Sequence, residues 1–518
     1  MNGLQVELLP LGVLARIERG APLQDLLFGY GVEFPCGGQG RCKGCRIKVL
    51  AGSLPITPED KERLTPGELG AGWRLACRAR PQNDIKLDLA QWEAPILTDD
   101  SAFQFKPGEG RGIAIDLGTT TIAAQLLDLE TGRVLAVRTG LNAQAKHGAD
   151  IMSRIEFGIG PNGGLTLQKV VRDQLRIMIQ ELLRAATQPR STVKPTGPPN
   201  DRRSDIPEPL RHVVIVGNTA MHHLFCGLSV EPLSCVPFEP TSPGLQAFSA
   251  AELGWELPGY PVVRFLPCLG GFVGSDILAG LLATGLPESN SLNALIDLGT
   301  NGEIVVGNSE RLLCASTAAG PAFEGARISM GMRAANGAIS EVRAEGGKLV
   351  CRTLGAGRAR GLCGSGLVDA VAAGLDLGLI RPNGRLSQGT TLTLTPFVSL
   401  TQADIRELQL AKAAIAAGLR LLLEQWGSTF EQLEQVYLAG AFGNYINHTS
   451  AARIGLLNFP LEKVRPAGNT ALLGAKIALF SLAENGGAYE PLLKKIHHVS
   501  LNEDARFQDA FVQEMGFP

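Results

Sequence analysis

One short sequence that occurs twice constrains the fold of this 518-residue chain more than any other feature. Asp-Leu-Gly-Thr starts at Asp116 and again at Asp297, 181 positions later. Each copy follows an apolar run that is typical of a buried strand, and another apolar run comes after it. Both copies are therefore predicted to be β-hairpin loops, and the repeat predicts a duplicated domain.

The residues of these two loops suit a phosphate-binding site. Backbone amides and hydroxyls of a Gly-Thr turn can donate to phosphate oxygens, and a carboxylate at a strand end can hold hydrated Mg²⁺ or orient water. We therefore expect Asp116 and Asp297 to be catalytic carboxylates. The residues expected to bind nucleotide are Gly118, Thr119 and Thr120 in the first loop and Gly299, Thr300 and Asn301 in the second.

Three further segments complete a recognisable order of motifs. The apolar run at 435–439 leads into Gly440 and Gly443, whose small size would let the backbone close over an adenine ring. Residues 212–225 and 467–479 each predict a helix that begins with a small residue and packs closely on its neighbour. This order resembles the actin, sugar-kinase and Hsp70 superfamily. The resemblance implies two RNase-H-like α/β lobes with ATP in the cleft between them.

Two more carboxylates are candidates for this cleft. Phosphoryl transfer or hydrolysis needs a group that positions the nucleophile. In the superfamily that group often precedes the second phosphate loop, which makes Asp276 a catalytic candidate, although capping of the following helix explains it equally well. Glu324 could contact the ribose, and a surface carboxylate explains it nearly as well.

Four cysteines are concentrated near the N-terminus. Five residues separate Cys36 from Cys42, two separate Cys42 from Cys45, and 31 separate Cys45 from Cys77. Four thiolates can hold zinc or an iron–sulfur cluster, but zinc ribbons favour two Cys-X-X-Cys knuckles and this set has one. The spacing favours a [2Fe-2S] cluster, with zinc as the alternative.

The surroundings of these cysteines predict a small α+β domain of the β-grasp type. Strands are predicted at 4–9, at 12–19 and from residue 46, with a short helix around 22–29. The pattern resembles the plant- and vertebrate-type ferredoxins over residues 1–92. We therefore divide the chain into that domain, a linker at 93–110, a first ATPase lobe at 111–290 with a disordered insertion near 187–211, and a second lobe at 291–518 that includes the adenosine loop.

Charge and composition narrow the choice of partners. Lys and Arg number 48 against 50 Asp and Glu, without long basic or acidic blocks, which argues against nucleic acid or a membrane surface. The N-terminus lacks the basic region of a signal peptide, so a cytoplasmic location is expected. The six remaining cysteines, including Cys363, are expected to be small buried side chains. His222 and His223 are adjacent on a predicted helix and cannot face one metal together.

A ferredoxin domain joined to an ATPase suggests that ATP helps an electron reach an acceptor that is hard to reduce. At this point the chain resembles the reductive activators of corrinoid enzymes, most specifically in its stretches 216–233, 316–334, 361–369 and 437–446. The resemblance implies a one-electron reduction of cobalt(II) to cobalt(I) in a corrinoid protein of a methyltransferase system. It also implies an upstream electron donor and a [2Fe-2S] cluster, ATP and Mg²⁺ as cofactors.

Other functions are also compatible with the sequence. An ATP-driven donor to another low-potential metalloenzyme would share the lobes, as the activators of radical dehydratases do. A small-molecule kinase with a redox-sensing ferredoxin domain is a second alternative. Because only about 18 residues separate the two parts, we also expect the chain to lack the middle domain of longer family members, which puts dimerisation through it in doubt.

Overall fold

The architecture comes from a computed structural model of the chain. It describes residues 3–9, 13–28, 30, 32, 40, 45–89, 103–148, 150–187, 208–299, 301–325, 327–334, 337–355, 358–481 and 489–518. Three large sheets follow one another along the sequence. In the described residues, no helix is long and apolar enough to cross a membrane.

The first sheet belongs to the N-terminal domain and has the strand order β2-β1-β5-β3-β4. The sequence predicted its first elements correctly, because alternating apolar residues such as Val6 and Leu8 point into one core. The strands are β1 (Gly3–Leu9), β2 (Val13–Glu18), β3 (Arg46–Ala51), β4 (Trp73–Leu75) and β5 (Ile85–Leu89), and the helices are α1 (Leu23–Phe28), α2 (Pro58–Arg63) and α3 (Pro66–Gly70).

The second sheet forms the first lobe and has the order β10-β11-β9-β6-β7-β8. Its central strand β6 pairs antiparallel with β7 and parallel with β9. The strands are β6 (Arg111–Leu117), β7 (Thr121–Asp128), β8 (Val134–Leu141), β9 (Leu210–Val216), β10 (Gln246–Ser249) and β11 (Val262–Phe265), and the helices are α4 (Ile151–Ile159), α5 (Gly163–Thr187), α6 (Thr219–Cys226) and α7 (Ser275–Thr284).

The third sheet repeats the arrangement in the second lobe, with the order β21-β20-β12-β13-β14-β22. Its hairpin, β12 and β13, is the counterpart of β6 and β7, and β12 pairs in parallel with β20. The elements are β12 (Asn293–Leu298), β13 (Gly302–Gly307), β14 (Leu312–Thr317), β15 (Ala338–Glu345), β16 (Lys348–Thr353), β17 (Gly361–Leu362), α8 (Gly364–Asp376), β18 (Thr391–Thr395), β19 (Val398–Thr401), α9 (Gln402–Trp426), β20 (Gln435–Ala439), α10 (Gly440–Tyr445), α11 (His448–Arg453), β21 (Val464–Gly468), α12 (Thr470–Ser481), α13 (Glu490–Leu493), β22 (Ile496–His498) and α14 (Arg506–Gln513).

The repeated topology confirms the duplicated α/β fold that the two loops predicted. The sequence named no neighbour for the helices that it predicted within 212–225 and 467–479. The helix that packs closely on α12 is α7, not α6: a Cβ on Gly474 would lie 1.9 Å from the Ala279 carbonyl oxygen. Both α6 and α7 begin near small residues, so the sequence did not distinguish them.

Helices α7 and α12 connect the two lobes. Residues of α12 pack with the β6 and β9 residues Ala114 and Val214 of the first lobe, while α7 packs through Ile277 and Leu281 with Leu295 of the second. Each helix thus follows one sheet in sequence and reaches the other, and Leu278 and Ala279 of α7 also pack on the first-lobe residues Ala114 and Val214. This crossing fixes the two hairpin loops on opposite walls of one cleft.

Two segments discussed in the sequence analysis, the insertion near 187–211 and the linker at 93–110, are described only in part. Residues 188–207 of the proposed insertion are among those the structure does not describe, and the ends of the proposed range belong to α5 and β9. In the linker, residues 103–110 are described, and Phe105 packs its ring 4.6 Å from that of Phe480 on α12. The proposed domain boundaries stay a prediction.

Candidate functional site

Two of the four predicted cluster ligands, Cys45 and Cys77, lie close to the ends of strands β3 and β4. Register pairing of Arg46 with Leu75 places Cys45 and Cys77 at the same end of this strand pair, and the Ala76 amide donates to the Cys45 carbonyl at 3.1 Å. Both cysteines are buried. Cys36 and Cys42 lie outside the described residues. Two buried thiols brought together beside a ligand-bearing loop fit the thiolate set that holds an iron–sulfur cluster.

The carboxylate of Asp60 stabilises the backbone beside this site. Asp60 is buried on α2, where its Oδ1 accepts from the Leu75 amide at 2.7 Å. Its Oδ2 accepts from the Thr57 amide at 2.9 Å in a capping box. Asp60 therefore ties the start of α2 to the strand that leads into Cys77.

The second site is the cleft between the lobes, which has a volume of about 320 Å³. The two hairpin loops form opposite parts of its wall, as predicted. Of the predicted nucleotide and catalytic residues, the cleft is lined by Asp116, Gly118, Thr119, Thr120, Asp276, Asp297, Gly299, Asn301, Glu324 and Gly440. Thr300 lies outside the described residues.

The first phosphate loop is held by two asparagines. Asn218 Nδ2 donates to Thr119 Oγ1 at 2.8 Å, and Asn469 Nδ2 donates to Asp116 Oδ2 at 3.1 Å. The Oδ1 atoms of the same residues accept amides at the starts of α6 and α12, those of Met221 at 3.0 Å and Leu472 at 2.9 Å. Both asparagines thus join a helix N-terminus to loop one.

Sequence reasoning missed these asparagines as site residues, although a signal was present. Gly-Asn-Thr occurs at 217–219 and again at 468–470, each time between a strand and an apolar helix. The motif is a second internal repeat, beside Asp-Leu-Gly-Thr. Its middle residue contacts loop one in both copies.

The second phosphate loop is closely approached by Gly440. This glycine has φ +83°, and a Cβ there would lie 2.6 Å from Asp297 Oδ1. A larger residue would therefore displace the Asp297 carboxylate or distort the backbone. In the structure, Gly440 therefore packs closely against the second phosphate loop. Gly443 was predicted to line the adenosine loop, but it packs near Leu438 and does not line the cleft.

Asp276 lies in the first turn of α7 and reaches the cleft. Gly274 occupies the cap position without a side-chain cap hydrogen bond, and the Asp276 side chain accepts the next amide, that of Ile277, at 2.9 Å. The capping explanation for this residue is therefore wrong. Asp276 stands near Asp116 and Asp297, and all three retain some accessible surface in the cleft.

Burial and mutual repulsion raise the pKa values of these carboxyls. Burial raises the pKa of Asp116 to about 6, against a stabilising hydrogen bond from Asn469. Burial and the charge of Asp116 raise the pKa of Asp297 to about 7. For Asp276, burial and the charges of Asp297 and Asp116 raise the pKa to about 8. A concentration of negative charge in low dielectric favours binding of a cation.

Glu303 is the fourth carboxyl described in this cleft, and sequence reasoning missed it. It lies on β13 directly opposite Asp297 in the antiparallel register, and it is buried. Burial, then the charges of Asp276 and Asp297, raises its pKa well above the usual range. Ser316 Oγ donates to its Oε1 at 3.4 Å. In the sequence Glu303 follows the loop by a few residues in an apolar strand, and only the register shows that it faces Asp297.

Glu324 bridges the two lobes rather than lying on an outer surface. Thr120 Oγ1, from loop one, donates to Glu324 Oε2 at 3.5 Å. The neighbouring ring of Phe323 stacks on that of Phe442 with centroids 4.7 Å apart, and both rings line the cleft. An apolar ring pair beside a carboxylate that can accept hydroxyls suits a nucleoside.

Of the remaining candidate residues, His222 and His223 pack inside the first lobe, whereas Cys363 lines the cleft. His222 and His223 are buried in the first lobe, where His222 Nε2 lies 3.2 Å from the Gly244 carbonyl oxygen. Cys363 is buried at the cap of α8 and lines the cleft, whereas Cys235 is exposed, against the expectation of burial.

Within the part of the chain that the structure describes, protein side chains alone do not form a complete metal site. Across the described ranges, no group of three or more Cys, His, Asp or Glu side chains is placed to hold a metal ion. A cation in the cleft would therefore need ligands from phosphate oxygens and water in addition to Asp116 and Asp297. Mg²⁺ commonly binds in this way.

Comparisons with known proteins cover both sites. Three family models match: the 2Fe-2S iron-sulfur cluster binding domain at 11–82, the RACo middle region at 111–196 and 202–289, and the C-terminal domain of RACo, the ASKHA domain, at 291–518. They confirm a [2Fe-2S] domain followed by an ATPase of the actin, sugar-kinase and Hsp70 type. The expectation that the middle region is missing is wrong, because that model matches the first lobe.

Individual relatives agree with these models. Corrinoid activation enzyme RamQ of Eubacterium limosum is 36% identical over 78% of this chain and 70% of its own length. The [Co(II) methylated amine-specific corrinoid protein] reductase of Methanosarcina barkeri is 27% identical over 78% and 77%. A solved structure described as a reductive activator for corrinoid, iron-sulfur protein covers 99% of this chain and 98% of its own, with 26% identity and a TM-score of 0.67.

Proposed function

Because this chain belongs to the RACo family of corrinoid activators, we propose that it uses ATP to reduce a corrinoid protein from cobalt(II) to cobalt(I). One observation carries the proposal. A single chain joins a 2Fe-2S fold with paired buried Cys45 and Cys77 to a two-lobed cleft with two phosphate loops. One part suits electron transfer and the other suits nucleotide binding.

The N-terminal domain would hold the electron carrier. Cys45 and Cys77, with Cys36 and Cys42 from the loop before them, would ligate the cluster. When bound, a [2Fe-2S] cluster supplies one electron at a time, which matches the single electron that separates cobalt(II) from cobalt(I). An upstream donor must supply a new electron to the oxidised cluster after each transfer.

The cleft would supply the driving force. A plant-type cluster has a potential near about −400 mV, so a harder reduction needs energy from another source. We propose that Gly118, Thr119 and Asn301 bind the phosphates and that Asp116 and Asp297 hold hydrated Mg²⁺. Asp276 lines the same cleft as both carboxylates and would orient a water molecule toward the phosphate.

The nucleoside would lie beside Phe323, Phe442 and Glu324 in the same cleft. The stacked rings of Phe323 and Phe442 offer an apolar surface for a base, and Glu324 offers an acceptor for ribose hydroxyls. Because Glu324 also accepts from Thr120 of the first lobe, a bound nucleotide would contact both lobes at this point. Closure of the lobes on ATP is the expected consequence.

The partner would be a corrinoid protein of a methyltransferase system, supplied with electrons by a separate cellular donor. The relatives support the corrinoid class, since two of them carry it in their names. A cytoplasmic location is part of the same proposal. Low-potential electron transfer suits a reducing compartment.

Two variants test the proposal by disabling each part separately. In an anaerobic assay with cobalt(II) corrinoid protein, reductant and Mg-ATP, Cys77→Ala should lose the cluster spectrum and form no cobalt(I). Asp297→Ala should keep the cluster spectrum, bind nucleotide at least about tenfold more weakly, and also form none. Cys235→Ala, which alters an exposed cysteine elsewhere, is the control and should match the wild type. Cobalt(I) formation by Cys77→Ala at the wild-type rate would contradict the proposal.

A further inference from the structure

The iron–sulfur domain contacts both ATPase lobes through polar pairs. Arg46 Nη2 donates to the Ser329 carbonyl at 3.2 Å. Arg360 Nη2 donates to Asp88 Oδ1 at 2.8 Å and also to the Leu89 carbonyl. Lys146 Nζ lies 3.1 Å from Asp25 Oδ1. We define Arg46, Ser329, Arg360, Asp88, Leu89, Lys146 and Asp25 as the docking contacts.

On the iron–sulfur side, Arg46 directly follows the proposed cluster ligand Cys45. Its guanidinium lies 5.3 Å from the ring centroid of Trp73, and its Nη1 lies 3.6 Å from Glu68 Oε1. These neighbours belong to the same domain and fix the direction in which Arg46 points. The donor that reaches Ser329 is therefore positioned by the fold around the cluster site.

On the ATPase side, Ser329 is anchored to a buried carboxylate. The amide and the hydroxyl of Ser329 both donate to Asp404, each at 2.6 Å. Asp404 also caps α9 together with Thr401. Ser329 belongs to the segment 327–334, which comes shortly after Glu324 and ends at the cleft residues Arg333 and Ala334. The segment thus runs from the cleft to the iron–sulfur domain and back.

A second segment, 358–365, also connects the iron–sulfur domain with the cleft. Arg360 immediately precedes β17, and the next residues, Cys363, Gly364 and Ser365, line the cleft. The two segments also bind each other, because the Leu362 amide donates to the Met330 carbonyl at 3.0 Å and the Met332 amide donates to the Leu362 carbonyl at 2.9 Å. A shift of either segment at the cleft would move the other.

The contact on the first lobe reaches the phosphate loop. Lys146 ends the 3₁₀ helix Ala143–Lys146, which begins after Asn142. Asn142 Nδ2 donates to the Gly118 carbonyl of loop one at 2.9 Å. The Lys146–Asp25 pair is exposed and adds little by itself. On the ATPase side, the three docking residues Ser329, Arg360 and Lys146 nevertheless lie within a few residues of a group that borders the cleft.

We propose that docking of the iron–sulfur domain and binding of nucleotide are coupled through segments 327–334 and 358–365, so that each strengthens the other. The inference rests on the proposed nucleotide site. In this proposal, docking and nucleotide binding both hold the two segments in the same arrangement. The event that occurs first supplies the free energy that holds them there, so the second event is more favourable. By linkage, both affinities change by the same factor.

The coupling predicts an effect on nucleotide affinity from a residue that lies in the other domain. Asp88→Asn removes the charge that Arg360 contacts and leaves every cleft residue unchanged. In the full-length protein with its cluster reconstituted, calorimetry with Mg²⁺ and a non-hydrolysable ATP analogue should give a Kd about fivefold weaker than that of the wild type. Arg360→Gln should weaken it similarly, and the double variant should be no weaker than the single ones.

A closely matched ion pair serves as the control. Arg453 contacts Asp376 at 2.7 Å and a backbone carbonyl, that of Pro518, just as Arg360 contacts an aspartate and a carbonyl. That pair lies wholly within the second lobe, away from the iron–sulfur domain. Arg453→Gln should leave the Kd of the analogue unchanged. The reciprocal readout is hydrogen exchange at β5, which the analogue should slow in the wild type and not in Arg360→Gln.

The outcomes separate this inference from the proposed function. An unchanged or tighter Kd in Asp88→Asn, with the cluster spectrum intact, would overturn the coupling and leave the nucleotide site standing. Weakening by Arg360→Gln alone would indicate a local effect on the cleft and would also overturn it. Failure of the wild type to bind the analogue would overturn both the coupling and the nucleotide site.

Discussion

Asp276 is the single residue on which the proposed nucleotide chemistry depends most. It is held in the cleft without a capping role, and burial together with Asp297 and Asp116 raises its pKa. Asp276→Asn keeps the shape of the side chain but removes its ability to accept a proton and to carry a negative charge. We expect the kcat of ATP hydrolysis to fall about 100-fold or more, with nucleotide Kd within about threefold of the wild type.

A buried aspartate outside the cleft provides the comparison for that variant. Asp369 on α8 is buried, accepts from the Val342 amide in the second lobe and does not line the cleft. Asp369→Asn should lower stability without a specific loss of kcat. Equal kcat losses in the two variants would show that Asp276 acts only through the fold.

His222 makes the stability of the first lobe dependent on pH. Burial, and then the charge of His223, lowers the pKa of His222 to about 4. Between that value and about 6.5 the unfolded state binds the proton and the folded state does not, so stability rises with pH. Acidification from pH 7 to pH 5 should therefore cost about 2 kcal/mol through this group.

Replacement of His222 tests that sign. Urea unfolding of His222→Asn at both pH values should show a smaller loss on acidification than the wild type shows. The exposed His497 is the control, and His497→Asn should lose as much as the wild type. An unchanged pH dependence in His222→Asn would contradict this account of the buried histidine.

Sequence reasoning found the site residues that carry a motif and missed those that depend on register or contact. Asp116 and Asp297 were predictable because each ends an apolar run at a Gly-Thr turn. Glu303 was not, because it interrupts an apolar strand and only its pairing opposite Asp297 brings it to the site. Gly443 was predicted to reach the cleft, but the short helix α10 turns it toward Leu438.

At the scale of elements, strands and hairpins followed the sequence closely, while helix pairing did not. Apolar runs and turn residues are local signals, so β1, β6 and β12 begin and end near the predicted positions. Which helix crosses to the opposite sheet is a tertiary property. Both α6 and α7 satisfied the local pattern, and the close approach of Gly474 to Ala279 shows that α7 is the partner of α12.

That close approach predicts a strong effect from one methyl group. A Cβ at Gly474 would lie 1.9 Å from the Ala279 carbonyl oxygen, so α12 and α7 must separate to accept it. Gly474→Ala should lower the unfolding free energy of the ATPase lobes by about 3 kcal/mol, measured by urea unfolding. Gly67→Ala, on a helix where a Cβ meets open space, is the control. A wild-type transition in Gly474→Ala would show that the helices do not pack as described.

At the scale of the whole molecule, the sequence predicted two kinds of domain but not their contact. Four spaced cysteines and two Asp-Leu-Gly-Thr loops each carry enough local pattern to predict their folds. Arg46, Arg360 and Lys146 carry none, because a single charged residue is typical of any surface. Their pairing with Ser329, Asp88 and Asp25 emerges only when both domains are placed together.

The contact between domains bears on why one chain carries both functions. An electron carrier that is bound to the wall of a nucleotide cleft can respond to ATP without a separate signalling element. The docking contacts are few and partly exposed, so the domain can leave the lobes at modest cost.

The most direct test of the central claim is a single-turnover visible spectrum under anaerobic conditions. Protein with a pre-reduced cluster is separated from excess reductant and mixed with cobalt(II) corrinoid protein, with Mg-ATP or without nucleotide. We predict that the cobalt(I) band forms with Mg-ATP, in an amount no greater than one electron per cluster, and does not form without it. Equal cobalt(I) formation in both mixtures, or none in either while ATP is bound and the cluster intact, would contradict ATP-dependent reductive activation.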